Sequence, residues 1–132
     1  MKKQVEVVGA VLVDGQTVLA ARRSEQMSPP DMWEFPGGKI EAGETPEEAL
    51  ARELVEELEC TAEIGEHVET TVYEYEKIIV SLATYYCTLR EGAPRLTEHS
   101  EIRWVPVAKL RDLNWAPADI PAVERVIQDL QA

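Results

Sequence analysis

Glu53, Glu56 and Glu57 are the residues of this chain best placed to do chemistry. At about 100° per residue they share one arc of a helix surface. Three carboxylates so close repel one another, the more so in a partly desolvated hollow. Either one carboxyl takes up a proton or a hard divalent cation binds. Oxygen donors suit Mg²⁺, with Mn²⁺ the alternative, and no Cys/His cluster suggests zinc. Between Gly38 and Cys60 the chain sets eight glutamates around Arg52, whose guanidinium can hold one of them through a charge-assisted hydrogen bond. Gly37 and Gly38 let the backbone approach closely, and Lys39 puts a cation where a phosphate can sit. Taken alone, the run reads equally well as a solvated acidic helix face.

The elements that must carry these residues follow from local signals. Thr45-Pro46-Glu47-Glu48 starts a helix: Thr45 caps, Pro46 suits the first helical position and Glu48 closes a capping box. The spacing predicts a helix to about Leu58, with Leu50, Leu54 and Leu58 facing the core and Ala49 beside the carboxylate arc, leaving room for a ligand. Val5 to Val13 and Val18 to Arg22 are strand-like and flank Asp14-Gly15, a hairpin signal. Residues 24–32 read as a loop. Trp33-Glu34-Phe35 is a short strand, after which Pro36-Gly37-Gly38 turns the chain. Thr70 to Glu76, Ile78 to Leu89 and Ile102 to Val105 are further strands, the second apolar enough to be central and buried on both faces. Asp119 to Leu130 closes the chain as a helix with Val123, Val126, Ile127 and Leu130 on one face. The pattern predicts an α/β fold, a mixed sheet with helices on both faces.

Composition narrows the partners. A chain of 132 residues suits one domain over its whole length, and a formal net charge of −12 argues against long nucleic acid. It leaves room for a small anionic substrate if metal ions stand between. There is no secretory h-region or membrane-spanning apolar run. With two cysteines, Cys60 and Cys87, and no disulfide framework, a cytoplasmic location is expected.

Gly38, five residues, Glu44, seven residues, then Arg52-Glu53-Leu54-Val55-Glu56-Glu57-Leu58-Glu59-Cys60 resembles the signature of the Nudix hydrolases. Glu59 replaces the family's Gly, which puts the helix terminus in doubt rather than the chemistry. Arg22-Arg23, the segment Trp33 to Lys39, Glu98 and the segment Ala116 to Pro121 resemble the MutT-like nucleoside triphosphate pyrophosphohydrolases, so the likeness spans nearly the whole chain. The resemblance implies an α/β/α sandwich around a mixed β-sheet. It implies that Glu53, Glu56, Glu57 and the Gly37 carbonyl bind metal, with Glu98 a further ligand or the general base. Glu53 is the other candidate for the base. Arg52 and Glu44 support these groups, and Arg23 and Lys39 are expected at phosphates.

The substrate is the least defined part of the reading. By resemblance Arg23, Glu34, Phe35, Lys39 and Asp119 bind it. Asp119 can accept from an exocyclic amine such as cytosine N4, protonated it can serve a purine, and it would also make a good helix N-cap. Phe35 and Tyr75 can stack on a base or belong to the core. The resemblance implies hydrolysis of a (deoxy)nucleoside triphosphate, with CTP, dCTP or a damaged nucleotide as candidates, by a monomer or homodimer. Two alternatives stand beside it. One is hydrolysis of another nucleoside diphosphate derivative, such as an ADP-sugar. The other is a non-catalytic nucleotide-binding module.

Overall fold

The computed structural model describes residues 2–23, 31–95 and 101–130. Strand β1 (Lys3–Asp14) turns into β2 (Thr17–Arg22), and β3 (Trp33–Glu34) and β4 (Gly37–Lys39) precede helix α1 (Pro46–Leu58). Two long strands follow, β5 (Thr61–Glu74) and β6 (Ile78–Glu91), then β7 (Glu101–Pro106), two 3-10 turns (Val107–Asp112 and Pro117–Asp119) and helix α2 (Ile120–Leu130).

Among the described residues the sheet runs β3-β2-β1-β6-β5, with β4 pairing to β1 and β7 to β2. β1 and β6 are parallel from Lys3↔Ile78 to Leu12↔Cys87, and the other ladders are antiparallel. The sheet is therefore mixed. β1 shows how both faces are filled, because successive side chains of a strand point to opposite sides. Val8, Ala10 and Leu12 pack with Leu50, Leu54 and Leu58 of α1. Val11 packs with Val123, Val126 and Ile127 of α2. The two helices thus cover opposite faces, which is the expected α/β/α sandwich.

α1 forms where its local signals place it. The Thr45 hydroxyl accepts the Glu48 amide at 3.1 Å, and the Glu48 carboxylate accepts the Thr45 amide at 2.9 Å. Its buried stripe is wider than three leucines. Ala49 is fully buried in the core, so it leaves no room for a ligand. The helix ends on Glu59, whose φ of 54° is left-handed. A side chain there is strained, and its charge meets the negative end of the helix dipole. Glu59→Gly is expected to stabilise the protein by about 1 kcal/mol, read as a higher urea midpoint at unchanged slope.

Three elements differ from the sequence expectation. Pro36-Gly37-Gly38 does not simply turn: Gly37–Lys39 adds to β1 as a strand, flanked by Ala10 N–H to the Pro36 carbonyl (2.7 Å) and Ile40 N–H to the Glu6 carbonyl (3.0 Å). A Cβ on Gly37 would collide with the Val8 carbonyl, so glycine is needed for this approach. β5 begins at Thr61, well before Thr70, and register shifts near Thr61, Ile64 and His67 blur its alternation. β6 is central, between β1 and β5, but its full burial is limited to Leu82, Thr84 and Cys87, with Ile78 exposed.

Candidate active site

Arg52 organises the acidic run. Its Nε and Nη2 donate to the two oxygens of Glu44 at 2.7 and 2.9 Å, a bidentate pair. Nη1 donates to Glu53 Oε1 at 2.9 Å and to Glu56 Oε2 at 3.0 Å, and Nη2 also reaches the Lys39 carbonyl at 3.0 Å. Glu44 further accepts the Glu41 amide at 2.9 Å. The Arg52 hydrogen bond, then that amide, hold the Glu44 carboxyl down at about 2. Glu44 is thus the fixed counter-ion of Arg52, which leaves the remaining donors of Arg52 aimed at the helix face and the β4 backbone.

Glu53 is held differently. Burial comes first among the influences on it and pushes its carboxyl above the usual range; Arg52 opposes this, while Glu56 and Glu41 add to it. Its side chain is only 13% exposed against 58% for Glu56. Glu57 sits half-buried, with Oε2 shielded from solvent. A Cβ on Gly38 would overlap the Glu53 carboxylate. Gly38 therefore brings β4 against the acidic face of α1.

Beside this contact lies a cavity of about 240 Å³. Val5, Val7, Val80 and Leu82 give it an apolar lining from β1 and β6, and Gly37, Gly38 and Lys39 border it from β4. Arg23, Glu34, Phe35, Tyr75, Ala118 and Asp119 complete it. Arg23 Nε pairs with Glu34 at 2.8 Å. Asp119 is 4% exposed, and its Oδ2 accepts the Phe35 amide at 3.0 Å. Burial above all, then the Glu34 charge, raises its carboxyl to about 8, against the pull of the Phe35 amide and Arg23. Asp119 directly precedes α2, yet its hydrogen bond goes across the fold to Phe35 rather than into the helix. The N-cap alternative is thus not how its carboxylate is used. Phe35 is core as well as cavity wall, its ring 4.9 Å from that of Trp115.

The residues singled out from sequence fall into two adjoining groups. Arg23, Glu34, Phe35, Gly37, Lys39 and Asp119 line one cavity, and Glu44, Glu53 and Glu56 gather on Arg52. Glu98 lies outside the described residues. Among the described residues, no three acidic, Cys or His side chains converge to hold a metal ion; Arg52 takes up oxygens of Glu53 and Glu56 itself. The chemistry of the set nonetheless fits a hard divalent cation: Glu53, Glu56, Glu57 and the Gly37 carbonyl are all oxygen donors, and Gly38 leaves them an approach that any side chain would block. Sequence reasoning missed the bond from the Ala118 amide to the Tyr75 hydroxyl, 3.0 Å long and spanning 43 positions. No local signal announces it.

The site thus sets a buried carboxyl in an apolar-lined cavity next to a glycine-backed acidic helix. The NUDIX domain family matches residues 3–126. The solution structure of the mismatch repair protein MutT, a Nudix hydrolase from methicillin-resistant Staphylococcus aureus, is 51% identical with a TM-score of 0.81, covering 98% of this chain and 99% of its own. A Mycobacterium tuberculosis protein named "Putative 8-oxo-dGTP diphosphatase 2" is 41% identical over 90% of this chain and 84% of its own. The CTP pyrophosphohydrolase of Escherichia coli is 35% identical over 92% and 90%. The chain belongs to the Nudix family, and within it to the MutT-type hydrolases of phosphoanhydride bonds. Nudix enzymes act on small nucleotide substrates and generally use divalent metal ions. No helix among the described residues is long and apolar enough to cross a membrane.

Proposed function

We propose that the protein hydrolyses a (deoxy)nucleoside triphosphate to the monophosphate and pyrophosphate with Mg²⁺, on a cytosine or an oxidised guanine nucleotide. The observation that carries this reading is the buried Asp119 in the same cavity as Gly37, Gly38 and Lys39. A group able to read a base edge thereby shares one space with a backbone able to admit phosphates. The names of the relatives support both base classes, since one refers to 8-oxo-dGTP and another to CTP.

In this reading Asp119 takes the base edge, and the apolar floor of Val5, Val7 and Val80 excludes water from the nucleoside. Lys39 and Arg23 attract the phosphates, with Glu34 fixing the Arg23 guanidinium. Glu53, Glu56, Glu57 and the Gly37 carbonyl would hold the cation, which when bound neutralises phosphate charge and acidifies a water. Arg52 keeps Glu53 turned to the β4 backbone. A carboxylate, Glu53 or Glu98, takes the proton of the attacking water. Assay of CTP, dCTP, dGTP, 8-oxo-dGTP and an ADP-sugar with Mg²⁺ is expected to show triphosphates cleaved with release of pyrophosphate. Cleavage of the ADP-sugar with no triphosphate turned over would sink this proposal.

A further inference from the structure

We propose that Tyr75 is a specificity-determining residue of this cavity: its hydroxyl fixes the turn that carries Asp119 and offers its own proton to an acceptor atom on the nucleobase. The inference rests on the reading of the cavity as a nucleoside triphosphate site.

Tyr75 stands in the turn between β5 and β6, where its amide donates to the Ile78 carbonyl at 2.8 Å and its carbonyl accepts from Lys2 Nζ at 2.9 Å. Both backbone groups are thus engaged. The side chain reaches across the fold to the Pro117–Asp119 turn and accepts the Ala118 amide at 3.0 Å. Ala118 neighbours Asp119 in sequence, and both line the cavity with Tyr75. The Asp119 amide itself bonds the Ala116 carbonyl at 2.9 Å. The Ile120 amide likewise bonds the Pro117 carbonyl, so the turn is closed by its own backbone and tied to the β5–β6 turn by the Tyr75 hydroxyl.

A phenol that accepts one hydrogen bond still has a proton to donate. Among the described residues that proton has no acceptor. Burial raises the phenol further from ionisation, so the proton stays in place at neutral pH. A hydroxyl with a proton to give on the wall of a cavity can exchange water for an acceptor on a ligand. Bases with ring or exocyclic acceptors supply one beside Asp119, and an abasic triphosphate, whose acceptors are confined to sugar and phosphates, separates that role from a contact to the rest of the nucleotide. Asp119 and Tyr75 together then present a carboxyl and a hydroxyl to the base from two turns tied to each other.

Tyr75→Phe keeps the ring and removes only the hydroxyl. The variant and parent are compared on dCTP, 8-oxo-dGTP and a deoxyribose triphosphate that lacks a base. The expected result is a rise in KM of about tenfold for the base-bearing substrates, with kcat changed less than about twofold and the abasic substrate unaffected. An equal loss on all three substrates would reduce Tyr75 to a structural brace and overturn the inference, as would no loss on any. Turnover by the parent protein tests the triphosphate reading separately, so the two failures are told apart.

Discussion

Glu53→Gln is expected to lower kcat by about 10²–10⁴-fold while leaving the protein at least as stable as its parent. The two side chains have the same shape, so Gly38 keeps its contact, and the Gln carbonyl can still accept from Arg52 Nη1. What is lost is the charge. In the proposed site that charge either helps hold the cation or takes a proton from water. Stability moves the other way. Burial, Glu56 and Glu41 raise the Glu53 carboxyl above its ordinary value against Arg52. A carboxyl raised in the folded state binds its proton more tightly there than in the unfolded chain. Its contribution to stability is therefore greatest at low pH and is lost as pH rises through the folded value. Above the ordinary carboxylate range the raised carboxyl is a net cost relative to the unfolded chain, and glutamine removes it. Glu44 has the opposite sign. Held at about 2 by Arg52, it contributes stability above its ordinary value that is lost as pH falls toward 2. Urea denaturation at pH 7 should show an equal or higher midpoint for Glu53→Gln, and the advantage should shrink toward pH 4. Activity within about threefold of the parent would remove Glu53 from the machinery. A large drop in midpoint would make it a structural group. Titration with Mn²⁺ followed by electron paramagnetic resonance adds a readout independent of turnover: weaker binding is expected for Glu53→Gln and Glu57→Gln. The same assays on Glu98→Gln separate base from ligand. Loss of turnover with Mn²⁺ affinity intact, together with loss of the acidic limb of the pH–rate profile, identifies the base.

What is legible in the sequence tracks how local its cause is. α1 can be read from its first residue to about Leu58 because the capping box, Pro46 and the spacing of Leu50, Leu54 and Leu58 all act within a few positions. Arg52 and its carboxylates are legible for the same reason, although the bidentate choice of Glu44 needs the loop before the helix to fold back over eight positions. Ala49 shows the limit of a helical wheel. The arc beside the glutamates is also the edge of the leucine stripe, and only packing against β1 decides that it is buried. The start of β5 is hidden because register shifts break the period-two signal. β4 is hidden because three residues carry no period, and its glycines have a reason that appears only when Val8 and Glu53 are in place. The cavity is the least local of all. Asp119 meets Phe35 across 84 positions and Tyr75 meets Ala118 across 43. Such contacts are properties of the topology, and no short window of residues contains them.

Asp119→Asn tests that long-range part of the site through pH. The parent carboxyl is raised to about 8. Around it stand the Phe35 amide, the Glu34 carboxylate, the Arg23 guanidinium and the Tyr75 phenol. Burial leads and Glu34 adds to it, so the group is mostly protonated at neutral pH and ionised in alkali. The raised value means that the folded state keeps its proton where the unfolded state has lost it. The stability this contributes is present below the ordinary value of 3.8 and is lost progressively as pH rises to about 8. At about 1.4 kcal/mol per tenfold, the parent is expected to lose a few kcal/mol over that range from this group alone. Asparagine has no proton to lose. The gap in melting temperature between variant and parent should therefore widen in favour of Asp119→Asn from pH 5 to pH 8 and then level. Base choice should follow the same titration. A neutral carboxyl offers one donor and one acceptor, so it can pair with cytosine N3 and N4 or with a purine edge of mixed polarity. An ionised carboxylate only accepts. The parent is expected to change its ratio of dCTP to 8-oxo-dGTP turnover across about pH 8, while Asp119→Asn, fixed as donor plus acceptor, keeps one ratio throughout. A parent ratio flat from pH 6 to pH 9.5, with the stability gap still widening, would show that Asp119 is a buried acid held against Phe35 and not the reader of the base.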